Sequence, residues 1–102
     1  MTKEEKMDMI VDFIDDCICE LENKTPRMTE AEKVKEAVSI LDKEVIPIIK
    51  GDPDLQDLLH SAYVARKYLI SFRVDLGNDI KISNLESFKH EIERMKKGKS
   101  KE

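Results

Sequence analysis

The chain has 102 residues, 39% of them charged and 40% hydrophobic, with 3 Gly, 3 Pro and a net charge of −4. That length holds one domain with its own core, and the shortage of turn residues and β-branched runs excludes a sheet-rich fold. No apolar run approaches the roughly 20 residues needed to cross a bilayer, which excludes a membrane-spanning helix.

The chain opens with Met1-Thr2-Lys3-Glu4-Glu5-Lys6, too charged for a secretion signal, and the expected location is the cytosol. Thr2 with Glu5 makes a capping box and predicts a first helix over 3–23. Its apolar stripe is Met7, Ile10, Val11, Ile14, Cys17, Ile18 and Leu21, close to a heptad, as in helix bundles. Asp12 and Asp16 are four apart, but no histidine accompanies them, and solvated acids account for the pair. Cys17 lies on the stripe and Cys19 about 200° round the helix from it, which makes a mutual disulfide implausible and reads as one core and one exposed thiol.

Pro26 breaks the chain between helices. Thr29 with Glu32 is a second capping box, and the stripe Ala31, Val34, Ala37, Val38, Leu41, Val45 and Ile48 predicts a helix over 30–49. Pro47 lacks an N–H and its ring crowds the carbonyl of Lys43, so this helix should bend or end near Ile46. Asp52 then caps a third helix, 53–76, with Pro53 in its first position and Gly77 at its end. Leu55, Leu58, Leu59, Ala62, Ala65, Leu69, Phe72 and Leu76 make this the longest and most apolar of the stripes, and the others are expected to pack around it. Val74, Leu76, Ile80 and Ile82 also alternate about Gly77-Asn78 as in a small β-hairpin, but an isolated two-stranded hairpin is marginal. Ser83 with Glu86 opens a last helix, 84–97, with Leu85, Phe88, Ile92 and Met95 as its stripe and Gly98 as its stop. The expectation is an all-α, antiparallel up-down-up-down four-helix bundle over 1–98 and a mobile basic tail over 99–102.

The charge is unevenly spread. Residues 1–23 set Lys3 and Lys6 against eight acids, a balance of −6, whereas residues 89–102 carry six cations against three acids, +3. An acidic start and a basic end read either as solvated helix faces or as two ends that meet different surroundings, the first being the simpler account.

Reaction chemistry is hard to place. His60 and His90 are the only histidines, and no serine sits in a nucleophile frame. His60 adjoins the third stripe and reads as a partly buried structural side chain. His90-Glu91 begins like a zinc-protease motif, but Arg94 stands where the second histidine is required. No Gly-rich phosphate loop or paired Glu-x-x-His is present, so no metal or cofactor is expected. Arg66, Lys67 and Arg73 interleave with Tyr63, Tyr68 and Phe72 as in some nucleic-acid binders. In so acidic a protein they read instead as the wet edge of a core. Ile14-Asp15-Asp16 in a small helical chain faintly resembles bacterial chorismate mutases, but the first helix lacks the arginine with which those enzymes clamp a carboxylate.

Asn78-Asp79-Ile80-Lys81-Ile82-Ser83, after a long helix with aromatics and before Leu85, Phe88 and Ile92, resembles the immunity proteins of pediocin-like (class IIa) bacteriocins, the enterocin A immunity group. Gly51-Asp52-Pro53, the length, the four helices and the basic end fit the same pattern. The resemblance implies a non-enzymatic, cytosolic protein that contacts the inner face of the cell membrane. It implies binding to the mannose phosphotransferase permease with its bound bacteriocin, so that no pore opens. In the family the C-terminal half selects the bacteriocin, which points here to Ile80, Lys81, Ile82, Lys89, Lys96, Lys97, Lys99 and Lys101. Nucleic acid is not an expected partner, and no oligomeric state follows. The alternative is a helical protein–protein interaction module or regulator.

Overall fold

The computed structural model describes residues 2–22, 29–70 and 78–100, and every regular element among them is helical. In chain order these are α1 (Lys3–Glu22), α2 (Glu30–Ile40), a π-helical turn (Leu41–Val45), α3 (Ile46–Lys50), a 3-10 turn (Pro53–Leu55), α4 (Asp57–Leu69) and α5 (Asn78–Ser100). α2, the π turn and α3 are continuous, leaving four helical stretches, an arrangement consistent with a four-helix bundle. α1 packs on α2 and α5, while α4 packs on α3, α2 and α5.

Local chemistry explains where these elements begin. At α1 the Glu5 N–H donates to Thr2 Oγ1 at 3.1 Å and the Thr2 N–H reaches Glu5 Oε1 at 3.4 Å, both arms of a capping box. The Glu32 N–H donates to Thr29 Oγ1 at 3.2 Å at the head of α2. The α1 stripe falls as its spacing predicts, with Met7, Ile10, Ile14, Cys17, Ile18 and Leu21 all buried. Leu85, Phe88 and Ile92 of α5 close the core from the other side.

Pro47 leaves its mark one turn upstream. The helix does not end. It widens between Leu41 and Val45, where the Ile46 N–H bonds to the carbonyl of Leu41, five residues back. A π turn holds about one residue more than an α turn, which sets later side chains back by roughly 100°. That rotation explains a departure from the expected stripe: Ile46 and Ile49 are buried, and Ile48 is only partly so. Ala31, expected on the inner face, is exposed.

The third stretch also differs from one straight helix starting at Pro53. Asp52 caps as anticipated, its Oδ1 accepting the Asp54 N–H at 2.9 Å, but the first turn is 3-10 and α4 proper begins at Asp57. Gln56 marks the corner. Its side-chain amide donates to the carbonyls of Ile49 at 2.8 Å and Asp52 at 3.1 Å, satisfying acceptors freed where α3 stops. α4 ends at Leu69, and residues 71–77, with Phe72, Leu76 and the expected Gly77 stop, lie outside the described residues. Among the described residues α4 buries Leu58, Ala62, Ala65 and Leu69, and α1 buries six side chains.

The last helix is longer than expected at both ends. It begins at Asn78 rather than near 84, so Ile80-Lys81-Ile82 is helical and belongs neither to a turn nor to a hairpin strand. Ser83-x-x-Glu86 starts a helix only if the preceding residues resist one. Here Ile82, one turn before Leu85, extends the stripe and packs against the core, and Asp79 suits the positive end of the helix dipole. α5 also runs through Gly98 to Ser100, past the expected stop. A glycine costs about 1 kcal/mol against alanine in a helix, too little to halt one by itself.

Leu69 is 1% exposed, and Leu69→Ala should cost about 2–5 kcal/mol in denaturant unfolding. The Asp52 carboxyl is held below the usual carboxylate range, first by the Asp54 N–H and then by Lys6, whose Nζ lies 3.1 Å away. A lowered value stabilises the fold above the unfolded-state pKa and is lost as pH falls through the folded-state one. Asp52→Asn should therefore lower Tm at neutral pH, and the gap from wild type should close in acid. A gap that persists in acid would show that the charge is not what the cap uses.

Candidate functional site

The residues assigned by resemblance to partner binding all lie on or beyond α5. The helix sorts them by face. Ile80 is 42% exposed, an unusual position for so large an apolar side chain on a charged surface. It borders an open hollow of about 340 Å³ at the head of α5, lined by Tyr68 from α4 and by Asp79, Ile80, Ser83, Asn84 and Ser87. Lys81 is half-buried, and Ile82 turns inward to the core. Ile80 and Ile82 thus do different work, one at the surface and one in the packing.

Lys89 and Lys96 point elsewhere. Lys89 Nζ donates to Asp15 and Lys96 Nζ to Asp8, so the basic helix and the acidic helix meet each other at two points. Both ammonium groups are held above the usual lysine value, chiefly by these hydrogen bonds. As groups with raised values, their contribution to folding is complete at neutral pH and lost only as pH rises through the folded-state value. The side chains of Lys97 and Lys99, and the whole of Lys101, lie outside the described residues.

A second hollow, of about 280 Å³, runs between α4 and α5. His60, Ser61, Val64, Phe88, Glu91 and Arg94 line it together with Asn84 and Ser87, and the Ser61 hydroxyl donates to Glu91 Oε2 at 2.5 Å. His60 is exposed at its rim, contrary to the partly buried position expected, because it falls just outside the stripe of Leu58, Ala62, Ala65 and Leu69. Asn84 and Ser87 line both hollows, which makes this strip of α5 one continuous small-residue floor. No motif marks it. Its only trace in the sequence is the spacing Ile80, Ser83, Asn84, Ser87, and that spacing has meaning only once the helix is known to begin at Asn78.

The remaining candidates are spread over the other elements. Arg66 Nε lies 2.8 Å from Asp42 Oδ1, tying α4 to the π turn. The Lys50 ammonium stands 5.8 Å from the centre of the Tyr63 ring. His90 is exposed, with Nδ1 3.9 Å from Glu93. Asp12 and Asp16 are exposed, and among the described residues no group of three or more His, Cys, Asp or Glu side chains could hold a metal ion. No described helix is long and apolar enough to cross a membrane.

Comparison with family models, curated proteins and solved structures finds no match to this chain.

The two thiols should be separable by chemistry. Cys17 is fully buried, its Sγ 3.4 Å from the carbonyl of Ala37, and burial followed by the nearby charges of Asp16 and Glu20 pushes its pKa up to about 12. Cys19 is exposed. A native titration with an aromatic disulfide should modify one thiol promptly and the second only after denaturant is added. Two equally fast thiols would place Cys17 outside the core.

Proposed function

We propose that this protein is a cytosolic immunity protein that protects a bacterium from a pediocin-like bacteriocin. In this reading it binds the toxin-engaged mannose phosphotransferase permease at the inner face of the membrane and keeps the pore closed. It works by surface contact alone. The observation that carries the reading is Ile80, exposed beside an open hollow at the head of α5, where the family resemblance puts selectivity. An exposed isoleucine next to a concave surface offers apolar area that a partner can cover without unpacking the core. The proposed scaffold is an antiparallel up-down-up-down bundle. Support comes from the crossed pairing of α1 with α5, where Asp8 meets Lys96 and Asp15 meets Lys89, the order of two chains running oppositely. Lys81, Lys97, Lys99 and Lys101 would add a basic rim that faces anionic headgroups or acidic permease loops, while Ile82 supports the contact from within.

A second reading, a helical interaction module, is favoured by Tyr63 and Ile70. They are 44% and 41% exposed and lie seven residues apart on α4 and its C-cap. Recovery of a soluble partner in place of permease subunits would select this reading.

The direct test is expression in a sensitive strain followed by challenge with a panel of pediocin-like bacteriocins. Survival against at least one member is expected, and killing by the whole panel would refute the proposal. Ile80→Asp should abolish that protection while changing stability by no more than about 0.5 kcal/mol, the usual limit for an exposed site.

A further inference from the structure

Asn84 and Ser87 line both hollows between α4 and α5, which therefore join into one open channel along the outer side of α5. At 100° per residue Ile80, Ser83, Asn84, Ser87, Glu91 and Arg94 fall within about 60° of one another's mean direction on that helix. Ser87 is the midpoint of the strip, equally far from Ile80 and from Arg94. On α4 the channel is lined by His60, Val64 and Tyr68, whose midpoint Val64 borders the same hollow as Ser87. Charge is ordered along the strip. Asp79 stands at the Ile80 end and Arg94 at the His60 end, both exposed and neither ion-paired among the described residues. Glu91, one turn before Arg94, is turned to α4, where it accepts the Ser61 hydroxyl.

We propose that a second copy of this chain covers the α4–α5 channel, antiparallel to the first about a two-fold axis through Ser87 and Val64. Charge complementarity selects that occupant, because the strip is complementary to itself when reversed. Turning one copy end for end brings Asp79 against Arg94 of the second copy, and symmetry repeats the contact at the other end. A parallel arrangement sets Asp79 on Asp79 and Arg94 on Arg94, which is unfavourable at both ends. Glu91 falls opposite Ser83 of the second copy, so no like charges are opposed along the seam. In the middle only Ser83, Asn84 and Ser87 face their counterparts, and side chains this short let the two α5 helices come close. Ile80 lies over the aliphatic stem of the opposite Arg94. On α4 the same operation sets Val64 on Val64 and His60 on Tyr68.

Size decides how strong this pairing is. From Ile80 to Arg94 the strip runs about 21 Å along the helix, and two helices side by side are about 20 Å across. Each copy thus covers about 400 Å², or about 800 Å² for the pair, where a stable interface buries about 1,200–2,000 Å². The dimer is therefore weak, forms with rising concentration and separates on dilution. Ile80 and its hollow are covered within it, so a partner seated there competes with the second copy. The pairing does not depend on the immunity reading, which concerns what replaces that copy.

Sedimentation equilibrium of the full-length chain from micromolar to millimolar concentration should show its mass rising from one copy towards two. Asp79→Arg and Arg94→Asp should each weaken association by about tenfold, because either reversal sets like charges together at both ends. Mixing the two single variants should restore pairing, since every end contact between them is again opposite in sign. The double swap Asp79→Arg/Arg94→Asp in one chain should restore it too, and helicity by circular dichroism should match wild type throughout. A second measurement does not rely on these charges. In a Cys19→Ser background, Ser87→Cys at the axis should form a disulfide between copies under mild oxidation, and Glu93→Cys, exposed but off the strip, should not. A single copy at millimolar concentration would overturn the pairing, as would a dimer that ignores both reversals or leaves Ser87→Cys unlinked. A wild type that stays single yet protects a sensitive strain would sink the pairing alone; one that pairs but protects no strain would sink the immunity reading alone.

Discussion

One strip of side chains on α1 joins both sides of the molecule. Met7, Ile10, Ile14, Cys17 and Leu21 alternate by three and four residues and are all buried, with α2 against one flank and α5 against the other. Each such aliphatic side chain contributes about 1.5–3 kcal/mol when taken out of water, whereas an exposed ion pair is worth about 0–1 kcal/mol. Packing therefore holds α1 to its neighbours, and the ladder of Asp8–Lys96 and Asp15–Lys89 can only adjust the register at which α5 settles. Cys17 fits this role because it is small. Its thiol lies against the backbone of Ala37, and two short side chains facing each other let α1 and α2 approach closely.

The inner faces were legible from sequence because periodicity alone specifies them. Every α1 stripe residue proves buried or partly so, and Leu55, Leu58, Ala62, Ala65 and Leu69 line the core from the third stretch. What could not be read was phase. Pro47 announces a defect but not its remedy, and the choice of a π turn over a bend decides whether Ile48 or Ile49 looks inward. The start of α5 was hidden for a related reason. A capping box within a helix has the same letters as one at its beginning, and only the packing of Ile82 distinguishes them.

The candidate surface was legible in part. Resemblance singled out Ile80, Lys81, Ile82 and the lysines as one group, but a helix distributes them over different faces. The pairing of Lys89 and Lys96 with α1 was out of reach of sequence reasoning, because the partners are 74 and 88 positions apart and their meeting depends on the whole fold. The opposite charges of the two ends were visible, but not that Asp8 and Asp15 of one meet Lys96 and Lys89 of the other.

This distribution constrains how any partner can use the C-terminal helix. At 100° per residue Lys89 stands about 180° round α5 from Ile80, with the core face carrying Leu85, Phe88 and Ile92 lying between them. A flat partner cannot cover both at once. An apolar partner seated on the Ile80 hollow leaves the lysine ladder intact, and its affinity comes from buried area that salt hardly alters. A partner drawn to the lysines must displace aspartates from them, and that exchange is screened over about 8 Å at physiological ionic strength. The two sides of α5 therefore obey different physics, one suited to discriminating a shape and the other to sensing a charged surface. Two such contacts can share one helix only where they approach it from opposite sides.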